Sequence, residues 1–308
     1  MKTRKKLKHD DQNASLNSTD GGGNKQQTRP AREHTTTQTI ASLTTVPATT
    51  SSITTRLVDI SSSGNQQHIR SNGIAEHLTG AFPNSGNPNR ISEQAYTYTT
   101  PTNPLYQAGS ISRPARGYVF GTAINGVPFD PSAGEWYLGV RSQHWQYAAL
   151  SSAIALGLDD NHAHVQHTGA YHYHGKPTGL LSTLSISSSI HSPLVGWAAD
   201  GFPIYAQYGF ADSQDALSYV SEMTSGYAIK TGQRPSGDQQ PGGYYDGTFI
   251  SDYEYIAGLG TLDECNGRFT VSPEFPNGNY AYFISNEWPQ IPRCFKGSPD
   301  PSFIKHRR

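Results

Sequence analysis

Beyond about residue 60 the chain alternates polar and apolar residues in short runs. Residues 96–100, 117–121, 170–174, 253–256, 268–271 and 280–284 are aromatic or β-branched and bounded by Gly, Pro or Asn, a pattern that predicts short strands. Helical spacing is rarer. Ala216, Leu217, Val220 and Met223 fall on one face of a predicted helix, with Asp212 or Ser213 as its N-cap and Gly226 as its stop. A second helix is expected over 143–154, where most apolar positions are alanine. No internal repeat of solenoid or propeller type is present. These elements predict a mainly β fold with a few helices (β-rich α+β), in one compact domain over 61–304.

The ends have a different composition. Residues 1–60 are rich in Ser, Thr, Asn, Gln and Gly and nearly free of aromatics, so they cannot bury enough apolar area to offset their ordering entropy; a disordered low-complexity tail is expected. Lys2, Arg4, Lys5, Lys6 and Lys8 resemble the basic start of a signal peptide, but no apolar run of even seven residues follows, so no signal peptide is readable. Residues 305–308 form a short basic end. With 23 basic against 24 acidic residues and a net charge of -1, the chain lacks the basic surplus of a nucleic-acid binder. No segment is long and apolar enough to span a membrane.

The two cysteines, Cys265 and Cys294, allow a single pairing. A bridge would close a loop of about 30 residues, worth roughly 3 kcal/mol in the chain-entropy model, and would favour an oxidising compartment; two buried thiols are the alternative. A secreted or periplasmic location is therefore expected.

Chemistry concentrates in one place. Five of the twelve histidines lie between His162 and His174, within Asn161-His-Ala-His-Val-Gln-His-Thr-Gly-Ala-Tyr-His-Tyr-His-Gly175. On an extended strand, His172 and His174 share one face while Tyr171 and Tyr173 pack on the other. The Thr168-Gly169 step can fold the chain back as a hairpin that carries His164 towards His172 and His174, with His162 in reserve and His167 in the turn. Three imidazoles make a site for a transition metal, copper or zinc before others, and an open position would allow hydrolytic or oxidative chemistry. The plain alternative is a histidine-rich strand that ligates nothing.

From these residues outward the chain resembles the YHYH domain family, named for the tetrapeptide found here as Tyr171-His-Tyr-His174. Further motifs agree: Ser71-Asn-Gly-Ile, Phe82-Pro-Asn, Gly196-Trp-Ala-Ala-Asp-Gly-Phe-Pro-Ile-Tyr205, Leu262-Asp-Glu-Cys-Asn-Gly267 and Ile291-Pro-Arg-Cys294. The resemblance runs from about residue 66 to about 303. It implies proteins that are often bacterial and extracytoplasmic, and it brings no established reaction. Members can carry a histidine between the aromatics of the last strand, where this chain has Ala281.

Other candidates are weaker. Asp200, held at a Gly-Phe-Pro bend, could complete a metal shell, orient a ligand histidine, or serve with His174 as a catalytic group; a turn aspartate bonding its own backbone is the competing role. Asp263, Glu264 and Asn266 flank Cys265 as a second oxygen-rich cluster. Arg293 suits a carboxylate or another anionic group, and a structural salt bridge is its expected role. Two further functions stay open: a non-catalytic module whose aromatic surface binds a small molecule, a polymer or the cell envelope, and a metal-free hydrolase built on a His/Asp pair.

Overall fold

The computed structural model describes residues 43–109, 111–112 and 117–305, and within them short strands pair across long stretches of sequence. Val58–Ser63 (β1), Gln66–Ser71 (β2) and Tyr96–Pro101 (β3) form an antiparallel three-stranded sheet. A mixed eight-stranded sheet holds the rest of the core. Its strands are Gly121–Ala123 (β4), Pro128–Phe129 (β5), Ala163–Val165 (β6), Tyr171–Tyr173 (β7), Leu194–Ala198 (β8), Pro203–Tyr205 (β9), Gly267–Thr270 (β10) and Asn279–Phe283 (β11). They run in the order β10-β11-β9-β8-β4-β5-β7-β6, antiparallel except for β9 with β11 and β5 with β7.

Aromatic and β-branched residues suit these strands because the central part of the sheet is buried on both sides. Phe120, Phe129, Tyr173, Val195 and Phe295 have no exposed surface. Phe120 stacks on Phe295 at 5.2 Å, and Tyr98 on Phe303 at 4.3 Å, tying the small sheet and the chain's last described turn to the large one. Gly121 is needed where β4 meets β8, because a Cβ there would collide with the Trp197 carbonyl oxygen. A second cluster around Trp145, Tyr147, Leu156 and Phe249 packs beside the first.

The fold is mainly β, and among the described residues it has one α-helix, Thr178–Thr183. Neither expected helix forms. In the 212–226 segment Leu217 is 93% exposed, and Val220–Glu222 pairs instead with Tyr208–Phe210. Asp212 and Asp215 accept the N–H groups of Gln214 and Leu217, turning the chain before a helix can start. Over 143–154, His144 and Ser152 take left-handed backbone angles (φ 61° and 60°), and Gln146–Ala148 pairs with Ser132–Trp136.

The expected strands at 96–100, 170–174, 253–256, 268–271 and 280–284 are present within a residue or two. In 117–121 only Tyr118 makes an isolated bridge, to Ile304, before the ladder starts at Gly121. The expected tail lies outside the described residues up to 42. From there to residue 60 it is ordered: Val46 bridges to Asp159, Thr50 exchanges hydrogen bonds with Thr79 (2.8 and 2.9 Å), and β1 begins at Val58. Of the basic end, Lys305 pairs with Asp130 at 2.6 Å; the remainder lies outside the described residues. Cys265 and Cys294 are joined as a disulfide with their Cα atoms 5.1 Å apart. No helix among the described residues is long and apolar enough to cross a membrane.

Candidate metal centre

The histidines are placed by a hairpin at the edge of the large sheet. β6 and β7 pair antiparallel with Tyr171 opposite Val165, His172 opposite His164 and Tyr173 opposite Ala163. The connecting turn closes when Gln166 accepts the Gly169 N–H (2.8 Å) and donates to the Ala170 carbonyl (3.0 Å). Gly169 has φ +85°, and a Cβ on it would collide with Ser92 Oγ, so glycine is required on two counts.

Strand alternation then does the rest. His172 in β7 and His174 just past its end project to the same face, His164 joins them from β6, and His172 and His174 are both buried at 3% exposure. His174 Nε2 lies 3.1 Å from His172 Nε2 and 3.0 Å from His164 Nε2. Two nitrogens bound at about 2.0–2.1 Å in a tetrahedral shell sit about 3.3 Å apart, so the spacing is within a few tenths of an ångström of a ligand set.

The backbone sets the tautomers. His164 Nδ1 faces the Leu156 carbonyl at 2.9 Å and His172 Nδ1 faces the Ala170 carbonyl at 3.1 Å. A carbonyl only accepts, so both rings carry their proton on Nδ1 and turn an Nε2 lone pair inward. Only His174 then has a proton to place between the rings, and it serves one neighbour at a time. A cation at the centre would engage all three lone pairs, and the two carbonyls would then be the outer hydrogen-bond acceptors that orient the imidazoles.

Burial favours the neutral rings that metal binding needs. Desolvation, followed by the neighbouring His172, pushes His164 down to about 4, and desolvation also lowers His172. Asp130 works against both shifts. Its position follows from β5 running parallel to β7: Phe129 aligns with Tyr173, and the Asp130 N–H donates to the Tyr173 carbonyl (2.8 Å), which sets Asp130 level with His174. At 1% exposure it is a buried carboxylate within electrostatic reach of His164 and His172, ion-paired with Lys305 at 2.6 Å. Sequence reading missed Asp130. Only the long-range parallel pairing places it there, and the local Phe-Asp-Pro triplet carries no such signal.

Tyr171 and Tyr173 take the reverse face, as the alternation requires. Tyr171 Oη donates to Asp159 (2.7 Å), while Tyr173 Oη contacts His77 Nε2 (2.6 Å) and accepts from Asn125 (2.9 Å). Burial raises both hydroxyls well above the usual tyrosine value, so they stay protonated. A cavity of about 150 Å³ lies on this side, walled by Ile74, Phe82, Ile91 and Tyr171, and includes none of the triad.

The remaining candidates lie elsewhere. His162 has φ 51° and directs Nδ1 to the Lys176 carbonyl at 2.8 Å, while its own carbonyl accepts the His174 N–H (2.8 Å); it braces the strand end and lies outside the histidine group. His167 is exposed in the turn. Asp200 is also outside that group: its carboxylate accepts from Tyr282 Oη (2.7 Å) and the Gly297 N–H (2.9 Å). Desolvation lifts Asp200 to about 6. Ala281 packs with Met223 and Phe283, five strands along the sheet order from β7. Asp263 caps the turn around Cys265 through the Cys265 and Gly267 N–H groups, and Glu264 pairs with Lys296 at 2.6 Å.

A small cleft of about 10 Å³ reaches His174 from the outside, walled by Leu150, Trp288, Gln290, Ile291 and Arg293. The Arg293 guanidinium is fixed there by the Pro131 carbonyl (2.7 Å) and Ser132 Oγ (3.2 Å) and lies 5.8 Å from the Trp288 ring centre. The family model described as "YHYH protein" matches residues 97–297, well over half of the chain, including the hairpin, Asp130 and the cleft. No curated protein and no solved structure matches the chain.

Proposed function

Because the chain belongs to the YHYH family, we propose that the histidines of its naming tetrapeptide, with His164, hold one transition-metal ion, copper or zinc. The convergence of three Nε2 atoms, two of them freed as lone pairs by backbone carbonyls, carries this reading. Imidazole suits either metal, and three neutral ligands leave a position open. Asp130, ion-paired with Lys305, supplies a buried carboxylate in electrostatic reach of the site. Asp200 and His162 are left to structural roles by their hydrogen bonds. The bound ion would supply Lewis-acid or redox character for hydrolytic or oxidative chemistry, and the Cys265–Cys294 bridge favours an extracytoplasmic setting.

Elemental analysis tests the reading on untagged protein, stripped with chelator and reconstituted. Wild type is expected to retain about one equivalent of copper or zinc after gel filtration, and the His172→Ala/His174→Ala double variant to retain little. Equally negligible metal in both proteins would overturn it.

A further inference from the structure

On the face of the hairpin turned away from the histidines, the side chains leave a space they do not fill. This cavity of about 150 Å³ lies between residues 50–53 and the core, with Ile74, Ala75, Phe82, Ile91 and Tyr171 as its apolar wall. A volume of that size, lined by aliphatic and aromatic groups, holds one benzene ring. Phe82 and Tyr171 meet edge to face with their ring centres 6.1 Å apart, so an aromatic guest finds the ring contacts it prefers.

The backbone around the space is fixed before any guest arrives. Thr50 and Thr79 exchange hydrogen bonds (2.8 and 2.9 Å), and Ser52 Oγ donates to the Ala75 carbonyl. Asn72 accepts the Leu57 N–H (2.9 Å) and donates to the Thr55 carbonyl (3.0 Å), so the covering segment is pinned at both ends. Elsewhere on the wall, the Gly80 N–H donates to Asp159 (2.9 Å), while Asn89 Nδ2 and the Ser92 N–H bond the Val165 and Gly169 carbonyls (2.8 and 3.0 Å). The chain is thus tied to the hairpin on both sides of Arg90. A pocket already in shape loses little freedom on binding.

Charge gives a ligand its direction. Arg90 is the one lining residue with a fixed charge; it is exposed, and it makes no hydrogen bond or ion pair with any described residue. Its planar fork matches a carboxylate. Behind the wall, buried Asp159 accepts the Tyr171 hydroxyl (2.7 Å). A ligand carboxylate turned inwards would approach that second acid, so the ring enters and the acid group stays with Arg90.

We propose that this cavity binds a small aromatic carboxylate the size of benzoate, its ring against Phe82 and Tyr171 and its acid group paired with Arg90. The cavity includes none of the three histidines, so the inference stands apart from the metal reading.

Isothermal titration calorimetry on the full chain tests it with benzoate, with benzyl alcohol as a neutral isostere and with acetate, each in the presence and absence of chelator. Benzoate is expected to bind saturably at one site, at least about tenfold tighter than benzyl alcohol or acetate, and equally well with chelator present. Arg90→Gln, a surface change, is expected to weaken benzoate about tenfold and leave benzyl alcohol unaltered, and Arg90→Lys to recover part of the loss. In isoleucine-methyl NMR spectra benzoate is expected to shift the Ile74 and Ile91 resonances. Absence of saturable benzoate binding, a neutral isostere that binds as well, or unchanged affinity in Arg90→Gln would overturn the proposal. So would binding that chelator abolishes, which would assign the ligand to a metal, or binding that leaves both isoleucines unshifted.

Discussion

His164 and His172 face each other across the hairpin, and each commits its Nδ1 proton to a backbone carbonyl, so the consequences of changing either are specific. His172→Gln removes an inward lone pair from a buried position and is expected to weaken metal affinity at least about tenfold, whereas Asp200→Asn and His162→Ala leave stoichiometry unchanged; competition against a chromophoric chelator measures both. Asp130→Asn keeps the shape and removes the charge, with an expected loss of about ten- to hundredfold in the same assay. Equal affinity in wild type and Asp130→Asn would remove that residue from the site. The metal-stripped protein should also report its buried groups through pH. His164 titrates near 4 when folded against an ordinary 6.5, so between those values the unfolded chain binds the extra proton and stability falls as pH drops. Asp200, lifted from 3.8 to about 6, has the opposite sign: the folded chain holds the extra proton, and stability falls as pH rises through that window. Urea midpoints measured from pH 4 to 7 should therefore flatten on the acid side in His164→Gln and steepen in Asp200→Asn. Parallel curves for all three proteins would contradict these assignments.

At the scale of elements, the hairpin is the unit that makes the site, and its turn is the place to break it. Gly169→Ala must place a side chain at φ +85° against Ser92 and is expected to cost about 1–3 kcal/mol, measurable as a shift in the urea midpoint with a matching loss of metal affinity. This hairpin was legible in the sequence because all its information is local: alternation puts His172 and His174 on one face, and one Thr-Gly step brings His164 opposite. Asp130 was not legible, since its place depends on a parallel pairing between segments more than forty residues apart. The false helix at 216–223 shows the reverse hazard. Its apolar spacing is real, but Met223 alone reaches full burial while Leu217 faces solvent, because two aspartate turns and pairing with Tyr208–Phe210 satisfy the backbone first. The order seen over 43–60 was hidden too, because it is made by backbone bonds to Thr79 and Leu158 that composition does not encode.

Across the whole molecule, the disulfide and the sheet hold the cleft wall against the hairpin. Cys265 is fully buried, and Cys294 follows Arg293 directly, so the bridge fixes the segment that carries Arg293. Replacing both cysteines with serine is expected to cost roughly 3 kcal/mol of stability while metal stoichiometry stays intact, since the triad is held by β6, β7 and their own hydrogen bonds. Thermal melts paired with metal analysis would show the separation, and simultaneous loss of metal would mean the wall supports the triad. The metal-binding claim itself is tested most directly by X-ray absorption spectroscopy on the reconstituted protein. Three imidazole nitrogens at about 2.0–2.1 Å, with no sulfur in the shell and with that scattering lost in the His172→Ala/His174→Ala variant, are expected. A shell of oxygen or sulfur alone, or one unchanged by the double substitution, would contradict it.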